Sequence, residues 1–319
     1  MKKPALLFAS MALAALLACT TAVLTAAPGL GQTTTTVTLV GAGDIASCSD
    51  DRDKATAKVV AKVSGTVFTL GDNAYPNGTA AEFQNCYHPT WGTQKSRTKP
   101  SVGNHEYFTP NASGYFGYFG GRAGNPSKGY YTYKRGSWRI IVLNSNCSEV
   151  GGCGKLSPQG SWLKQTLTNY PAKCTLAYFH HPLFASTKNA SPLVRPFWEI
   201  LYNYNADVIL SGHAHYYERF APQLPDGTRN KSSGIREFVV GTGGAPPENP
   251  MTSPRKANSV VDSEKSPGTT AYGVLRLRLS AGSYVWKFLP VAGETFTDSG
   301  TGQCHQDRRI SSVLDKSTQ

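Results

Sequence analysis

Five short segments of this chain gather the residue types that hold metal ions. They are Gly43-Asp44, Gly71-Asp72-Asn73-Ala74-Tyr75, Gly103-Asn104-His105-Glu106, Phe179-His180-His181-Pro182 and Gly212-His213-Ala214-His215. Carboxylate and phenolate oxygens are hard anionic donors, and imidazoles and amide oxygens suit divalent ions. A core built from such groups would be unstable. The same groups converging on one face make a dinuclear metal site, the kind that polarises a phosphoryl or carbonyl oxygen and activates a water.

These side chains meet only if regular elements deliver them. Each segment reads as following a short β-branched or apolar run, so each is expected where a buried strand gives way to a loop, the usual place for ligands on an open α/β sheet. Val37-Val40 and Val67-Leu70 read as parallel strands. Between them Ala55, Val59, Val60 and Val63 fall near helical spacing. Ile140-Leu143, Thr175-Phe179, Asp207-Leu210 and Phe238-Val240 read as further strands. Ser157-Pro158 reads as the capped start of a helix, with Pro at its first position. A second helix is expected over 196–204. Val274-Leu279 and Tyr284-Leu289 flank Ala281-Gly282, a hairpin signal. The stretch 107–133 is rich in Gly, Tyr and Phe; it reads either as a wall of the site or as a packed surface loop.

The order of the five motifs resembles that of calcineurin-like metallophosphoesterases. Tyr75 narrows the resemblance to the purple acid phosphatase branch, and the run from Gly212 through His213, His215 and Glu218 to Arg219 is also similar to that branch. The resemblance covers about Val37 to Leu289. Two departures lie beside expected ligands: Ile45-Ala46 stands where the family has a Gly, and Ala177-Tyr178-Phe179 stands where its strand starts with Val. The resemblance implies an α/β fold of two packed mixed β-sheets flanked by helices, a four-layer sandwich, over a catalytic domain at 37–319. Larger purple acid phosphatases carry an all-β domain ahead of this point; the chain resembles the short, single-domain form.

The resemblance also implies two metal ions and a division of ligands. Asp72 is the bridge, since a carboxylate offers two oxygens. Asp44, Tyr75 and His215 complete one site, where a phenolate favours Fe(III). Asn104, His180 and His213 complete the other, which suits a divalent ion such as Zn, Fe or Mn. Gly-His-x-His is expected to set His213 and His215 on one side of an extended segment. His105 is expected at the phosphate as a catalytic acid or anchor, with a hydrogen-bonded support as the competing reading; His181 is a second candidate. His88 and His305 read as structural or surface residues. The implied function is hydrolysis of small phosphate monoesters by attack of a metal-bound hydroxide. Diester or phospholipase D-like hydrolysis on the same metals is the alternative, and a non-catalytic phosphate- or metal-binding protein is a third reading.

The ends and composition bear on compartment. Lys2-Lys3, the apolar run from Ala5 to Leu24 and the small residues Thr25-Ala26-Ala27 read as a secretory signal peptide over 1–27. A flexible segment follows at 28–36. A retained anchor needs roughly 20 uninterrupted apolar residues, and Ser10 and Cys19-Thr20-Thr21 break this run, so no stable membrane insertion is expected. Leu16-Leu17-Ala18-Cys19 is a passable lipidation signal, which makes a lipoprotein anchored at Cys19 the minor alternative. Removing 1–27 takes away Lys2 and Lys3 and no acid, so the net charge falls from +12 to +10. That balance suits anionic substrates. The basic residues are scattered, so no nucleic acid is expected.

Of seven cysteines, six remain without Cys19, an even number that suggests disulfides in an exported chain. Cys147 and Cys153 bracket Ser-Glu-Val-Gly-Gly, a loop able to close on itself. For the other four, Cys48 with Cys86 and Cys174 with Cys304 is the pairing adopted, because the loops carrying Cys48 and Cys86 should rise from neighbouring strands.

Overall fold

The structure is a computed structural model describing residues 1, 36–247 and 250–305. Apart from Met1 and Thr36, the 1–27 signal peptide, with its Cys19 lipidation site, and the 28–36 segment lie outside the described residues. Two large mixed sheets form the body. The first runs in the order Ser299–Gln303, Ser283–Pro290, Gly273–Ser280, Val37–Ala42, Thr66–Leu70, Thr98–Ser101. The second runs Ser259–Asp262, Tyr217–Phe220, Arg236–Val240, Val208–Ser211, Cys174–Tyr178, Trp138–Val142, Tyr131–Arg135.

Alternation along the second sheet assigns its two faces. Ile140, Leu176, Val208 and Phe238 point into a core shared with Val40, Phe68 and Leu277 of the first sheet. Ile141, Ala177, Ile209 and Val239 point the other way, onto Leu163, Leu167, Phe197 and Leu201 of helices Pro158–Asn169 and Arg195–Asn203. Helix Arg52–Ala61 packs on the first sheet. This is the four-layer arrangement. Strands Thr66–Leu70 and Cys174–Tyr178 are buried at every position, which is why they read as β-branched and apolar runs without alternation. Ser157 caps its helix as expected, accepting from Gly160 N at 3.1 Å ahead of Pro158.

Two expectations need correction. The strand before Gly103 is Thr98–Ser101, with Lys99 and Pro100, and not an apolar run. It is an edge strand, where Pro costs no ladder bond on its open side. The segment 212–216 is not extended: His213 has φ 67°, and Tyr216 N bonds back to Ala214 O at 2.6 Å. The stretch 107–133 divides. Tyr115, Phe116 and Phe119 enter the main core, and only its start, at Tyr107 and Phe108, reaches the site. Three disulfides, Cys48–Cys86, Cys147–Cys153 and Cys174–Cys304, close the loops.

Candidate metal centre

Both sheets aim parallel strands at one edge. Val37–Ala42, Thr66–Leu70 and Thr98–Ser101 run parallel, and past their C-terminal ends lie Asp44, Asp72 and Asn104. Trp138–Val142, Cys174–Tyr178 and Val208–Ser211 are likewise parallel; beyond them come Ser145, His180 and His213. Backbone bonds tie the two edges together: Gly43 N donates to Val240 O (2.9 Å) and Gly243 N to Gly43 O (2.9 Å). The loops approach so closely that a Cβ on Gly71 would lie 2.5 Å from His180 Nδ1, and one on Gly103 would overlap the Asp72 carboxylate.

Seven side chains converge there. The Tyr75 hydroxyl lies 3.1 Å from Asp44 Oδ1, 3.2 Å from Asp72 Oδ2 and 3.2 Å from His215 Nε2. His180 Nε2 lies 3.1 Å from Asp72 Oδ2, 2.9 Å from Asn104 Oδ1 and 3.1 Å from His213 Nδ1. Asp44, Asp72 and His180 are buried, and their ligand-capable atoms all fall within 4.8 Å of one another; so do those of His180, His181 and His213. A third such cluster, Cys174, Asp207 and Cys304, offers no thiolate, because its cysteines are bonded to each other.

The protons in this cluster are spoken for elsewhere. His180 Nδ1 faces the Leu70 carbonyl at 2.7 Å, and His215 Nδ1 faces the Pro246 carbonyl at 2.6 Å. A carbonyl only accepts, so each Nδ1 carries its proton there, and in the neutral ring Nε2 is a bare lone pair. For His180 that lone pair points at the Asp72 carboxylate and the Asn104 amide oxygen, and for His215 at the Asp44 carboxylate at 3.4 Å; the Tyr75 hydroxyl donates to the two carboxylates. Acceptors crowded on acceptors in a buried site repel unless a cation lies among them, so the donor set fits metal ions. Without a cation among them, the carboxylates draw protons onto these rings instead. Burial alone would lower the His180 and His215 pKa values, yet Asp72 and Asp44 carry both up to about 9. His213 and His181, which lack their own carboxylate, are held at about 2 and about 3 by burial and then by the neighbouring His180. Burial would raise the Asp72 carboxyl, but His180 and His105 hold it well below the usual range.

Three of the seven sit in left-handed backbone: Asp44 (φ 61°), Asp72 (φ 46°) and His213 (φ 67°). For a residue other than Gly this costs on the order of 1–3 kcal/mol. Bonds from distant segments hold it: His213 N donates to Asp44 Oδ2 at 2.9 Å, and His105 N to Asp72 Oδ1 at 2.9 Å. His105 itself stands off. Its Nδ1 bonds Pro76 O at 2.6 Å and its Nε2 is 3.9 Å from Asp72. His181 is fixed twice by Ser145, whose Oγ accepts from His181 N (3.0 Å) and meets its Nδ1 at 2.8 Å.

Several residues matter that motif reading left without a role. Glu106 is fully buried and accepts from four backbone N–H groups: Asp72 (3.0 Å), Asn73 (2.6 Å), Ala74 (3.3 Å) and Gly103 (2.7 Å). It joins the loop of Asp72 to the loop of Asn104. Asn189 Nδ2 donates to His213 O at 2.8 Å. Glu218 takes the Ser186 N–H and hydroxyl, pinning the loop after His181. Asp298 gathers Tyr217, Arg219 and Trp286. The signal for Glu106 was present, as an acid inside an otherwise ligand-bearing motif; Ser145 and Asn189 carried none.

Two packed mixed sheets with a donor cluster at the shared edge define a metallophosphoesterase fold. Residues 37–217 match the Calcineurin-like phosphoesterase family, and the chain belongs to it. It is similar to purple acid phosphatase 15 of Arabidopsis thaliana, 25% identical over 191 residues, which is 48% of this chain and 35% of that protein. It is also similar to a phosphoenolpyruvate phosphatase of Allium cepa, 29% identical over 181 residues, 48% of this chain and 36% of that one. The match thus spans little more than a third of either relative. Among solved structures, purple acid phosphatase PPD1 from yellow lupin (Lupinus luteus) seeds superposes with a TM-score of 0.65 at 19% identity, over 87% of this chain and 55% of that one. GAP50, the anchor in the inner membrane complex of Plasmodium, superposes with a TM-score of 0.64 at 14% identity, over 88% and 94%. At these identities the superpositions speak to the fold.

Proposed function

We propose that this protein is an exported dinuclear-metal phosphatase that hydrolyses small phosphate monoesters. The observation that carries the proposal is the crowding of lone pairs at the strand ends, which a pair of cations relieves. Asp44, Asp72, Tyr75 and His215 would hold one ion, suited to Fe(III) by its phenolate. Asp72, Asn104, His180 and His213 would hold the other, suited to divalent Zn, Fe or Mn. Such a pair, when bound, polarises the phosphoryl group and lowers the pKa of a water.

The chain's own groups do the rest. The Leu70 and Pro246 carbonyls set the tautomers of His180 and His215, as outer partners of ligating histidines do. His105, oriented by Pro76 O, keeps Nε2 for a phosphate oxygen or for the leaving oxygen. His181, neutral and pinned to Ser145, lines the cleft where the leaving group would sit. Three disulfides support an oxidising compartment. No helix among the described residues is long and apolar enough to cross a membrane.

The test is metal analysis with a visible spectrum, alongside monoester and diester assays, on freshly purified protein. The oxidised protein is expected to be coloured by charge transfer from the Tyr75 phenolate to Fe(III). Tyr75→Phe should bleach it with the far-UV circular dichroism intact; a colourless wild type with stoichiometric iron sinks the iron assignment. His105→Ala should keep both metals and lose roughly 10²–10⁴ in kcat. Metal loss from that variant, or near-wild-type turnover, would overturn its role.

A further inference from the structure

A cleft of about 360 Å³ opens directly beside the metal centre, with Asn104 and His181 on its floor. This is where the alcohol of a bound ester must extend, and its chemistry is unlike that of the phosphate side. No Lys or Arg lines it among the described residues. Two large apolar side chains flank it with most of their surface in water, Phe108 at 61% and Leu193 at 67% exposure. Its single charge is Glu149, whose carboxylate accepts from Ser148 Oγ at 3.1 Å and faces no basic residue of the cleft wall.

Glu149 is held in place by its loop. Residues Cys147–Val150 form a 3-10 turn. Glu149 N donates to Asn146 O at 3.0 Å, Gly152 N to Cys147 O at 2.7 Å, and the Cys147–Cys153 disulfide closes the ring. The backbone that carries Glu149 is therefore held, and its carboxylate is exposed to solvent. Asn146 in turn is tied to Asn144 Oδ1 through both its backbone and its side-chain nitrogen, at 3.0 Å each. Asn144 Nδ2 reaches the hydroxyl of Tyr107, which also lines the cleft, at 2.7 Å.

From this we infer that the cleft is a leaving-group subsite selecting monoesters whose alcohol has an apolar body and a cationic group, with Glu149 as the residue that discriminates by charge. The inference rests on the phosphatase reading and deepens it. The apolar body lies between Phe108 and Leu193, where water is displaced from both. The cation meets Glu149. An alcohol carrying carboxylate or further phosphate groups meets the same carboxylate with no Lys or Arg of the cleft wall to offset it, so polyanionic esters are disfavoured even though the chain as a whole is basic.

A matched pair of substrates isolates the charge: 4-(2-aminoethyl)phenyl phosphate and 4-(2-carboxyethyl)phenyl phosphate share one aryl leaving group and differ in sign at its tip. The readout is the ratio of their kcat/KM values. Wild-type protein is expected to favour the ammonium ester by roughly tenfold, the size of effect one surface charge exerts at a few ångströms. Glu149→Gln should bring the ratio near one, and Glu149→Lys should invert it, both weakening in high salt. A wild-type ratio near one, or a ratio that Glu149→Lys leaves in place, overturns the subsite. Failure to hydrolyse 4-nitrophenyl phosphate as well would overturn the phosphatase reading, and this inference with it.

Discussion

Asp72→Ala is expected to strip both metal ions and take phosphatase turnover to background, a loss of at least about 10⁴-fold. The magnitude follows from the several kcal/mol that metal ions contribute to a charged transition state, at about 1.36 kcal/mol per tenfold. Asp72 is the carboxylate that spans both halves of the cluster. Asp72 Oδ2 lies within 3.2 Å of both Tyr75 OH and His180 Nε2, which come from opposite halves of the donor set, while Oδ1 takes the His105 N–H. On the proposed ligand set, losing it would leave two cations facing each other with no shared anion, and it would also free the His105 backbone N–H. Asp72→Asn separates these effects, since an amide oxygen can still accept from His105 N but lacks the charge. Metal content and kcat/KM should be measured on the same preparations. Retention of two ions per chain by Asp72→Ala, or activity within tenfold of wild type, would sink the bridging role.

Much of this centre was readable because each donor stands just past a short strand, and those strands announce themselves. Thr66–Leu70 and Cys174–Tyr178 are buried on both faces, so they are rich in β-branched and apolar residues with no charge, and the polar residues that follow stand out. Where a strand sits at an edge, the signal fades: Thr98–Ser101 carries Lys and Pro and shows itself only through the motif behind it. Sheet order was not legible. Tyr217–Phe220 pairs with Arg236–Val240 and with Ser259–Asp262 across long intervening segments, and no local pattern encodes such partners; Tyr131–Arg135, by contrast, pairs with Trp138–Val142 across a two-residue turn. Backbone shape at the ligands was equally hidden. His213 reaches the cluster from a left-handed residue held by Asp44, 169 positions earlier. An expectation drawn from local alternation put it in an extended segment instead.

Glu106 shows how a supporting residue can matter as much as a ligand. Four backbone N–H groups, from the loops that carry Asp72 and Asn104, end on its two oxygens inside a site closed to water. Burial and the Asp72 charge push its carboxyl up to about 7, while the four donors favour the ionised form. Glu106→Ala removes every one of those acceptors at once. A buried N–H left unpaired costs about 1–3 kcal/mol; allowing for relaxation, the expected loss is about 4 kcal/mol or more. For a domain of this size that lowers Tm by on the order of 10 °C. The same change unties the two loops, so metal content should fall as well, although Glu106 is not itself a ligand. Glu106→Gln is the informative partner. Its amide oxygen can keep one pair of donors, but its NH₂ is forced against the other pair, so it should lie between wild type and Glu106→Ala in both readouts. Thermal melts of metal-stripped protein isolate the hydrogen-bond effect from metal binding. If metal-stripped Glu106→Ala melts within about 2 °C of metal-stripped wild type, the four bonds contribute far less than their burial demands, and the loops must be held together by something else.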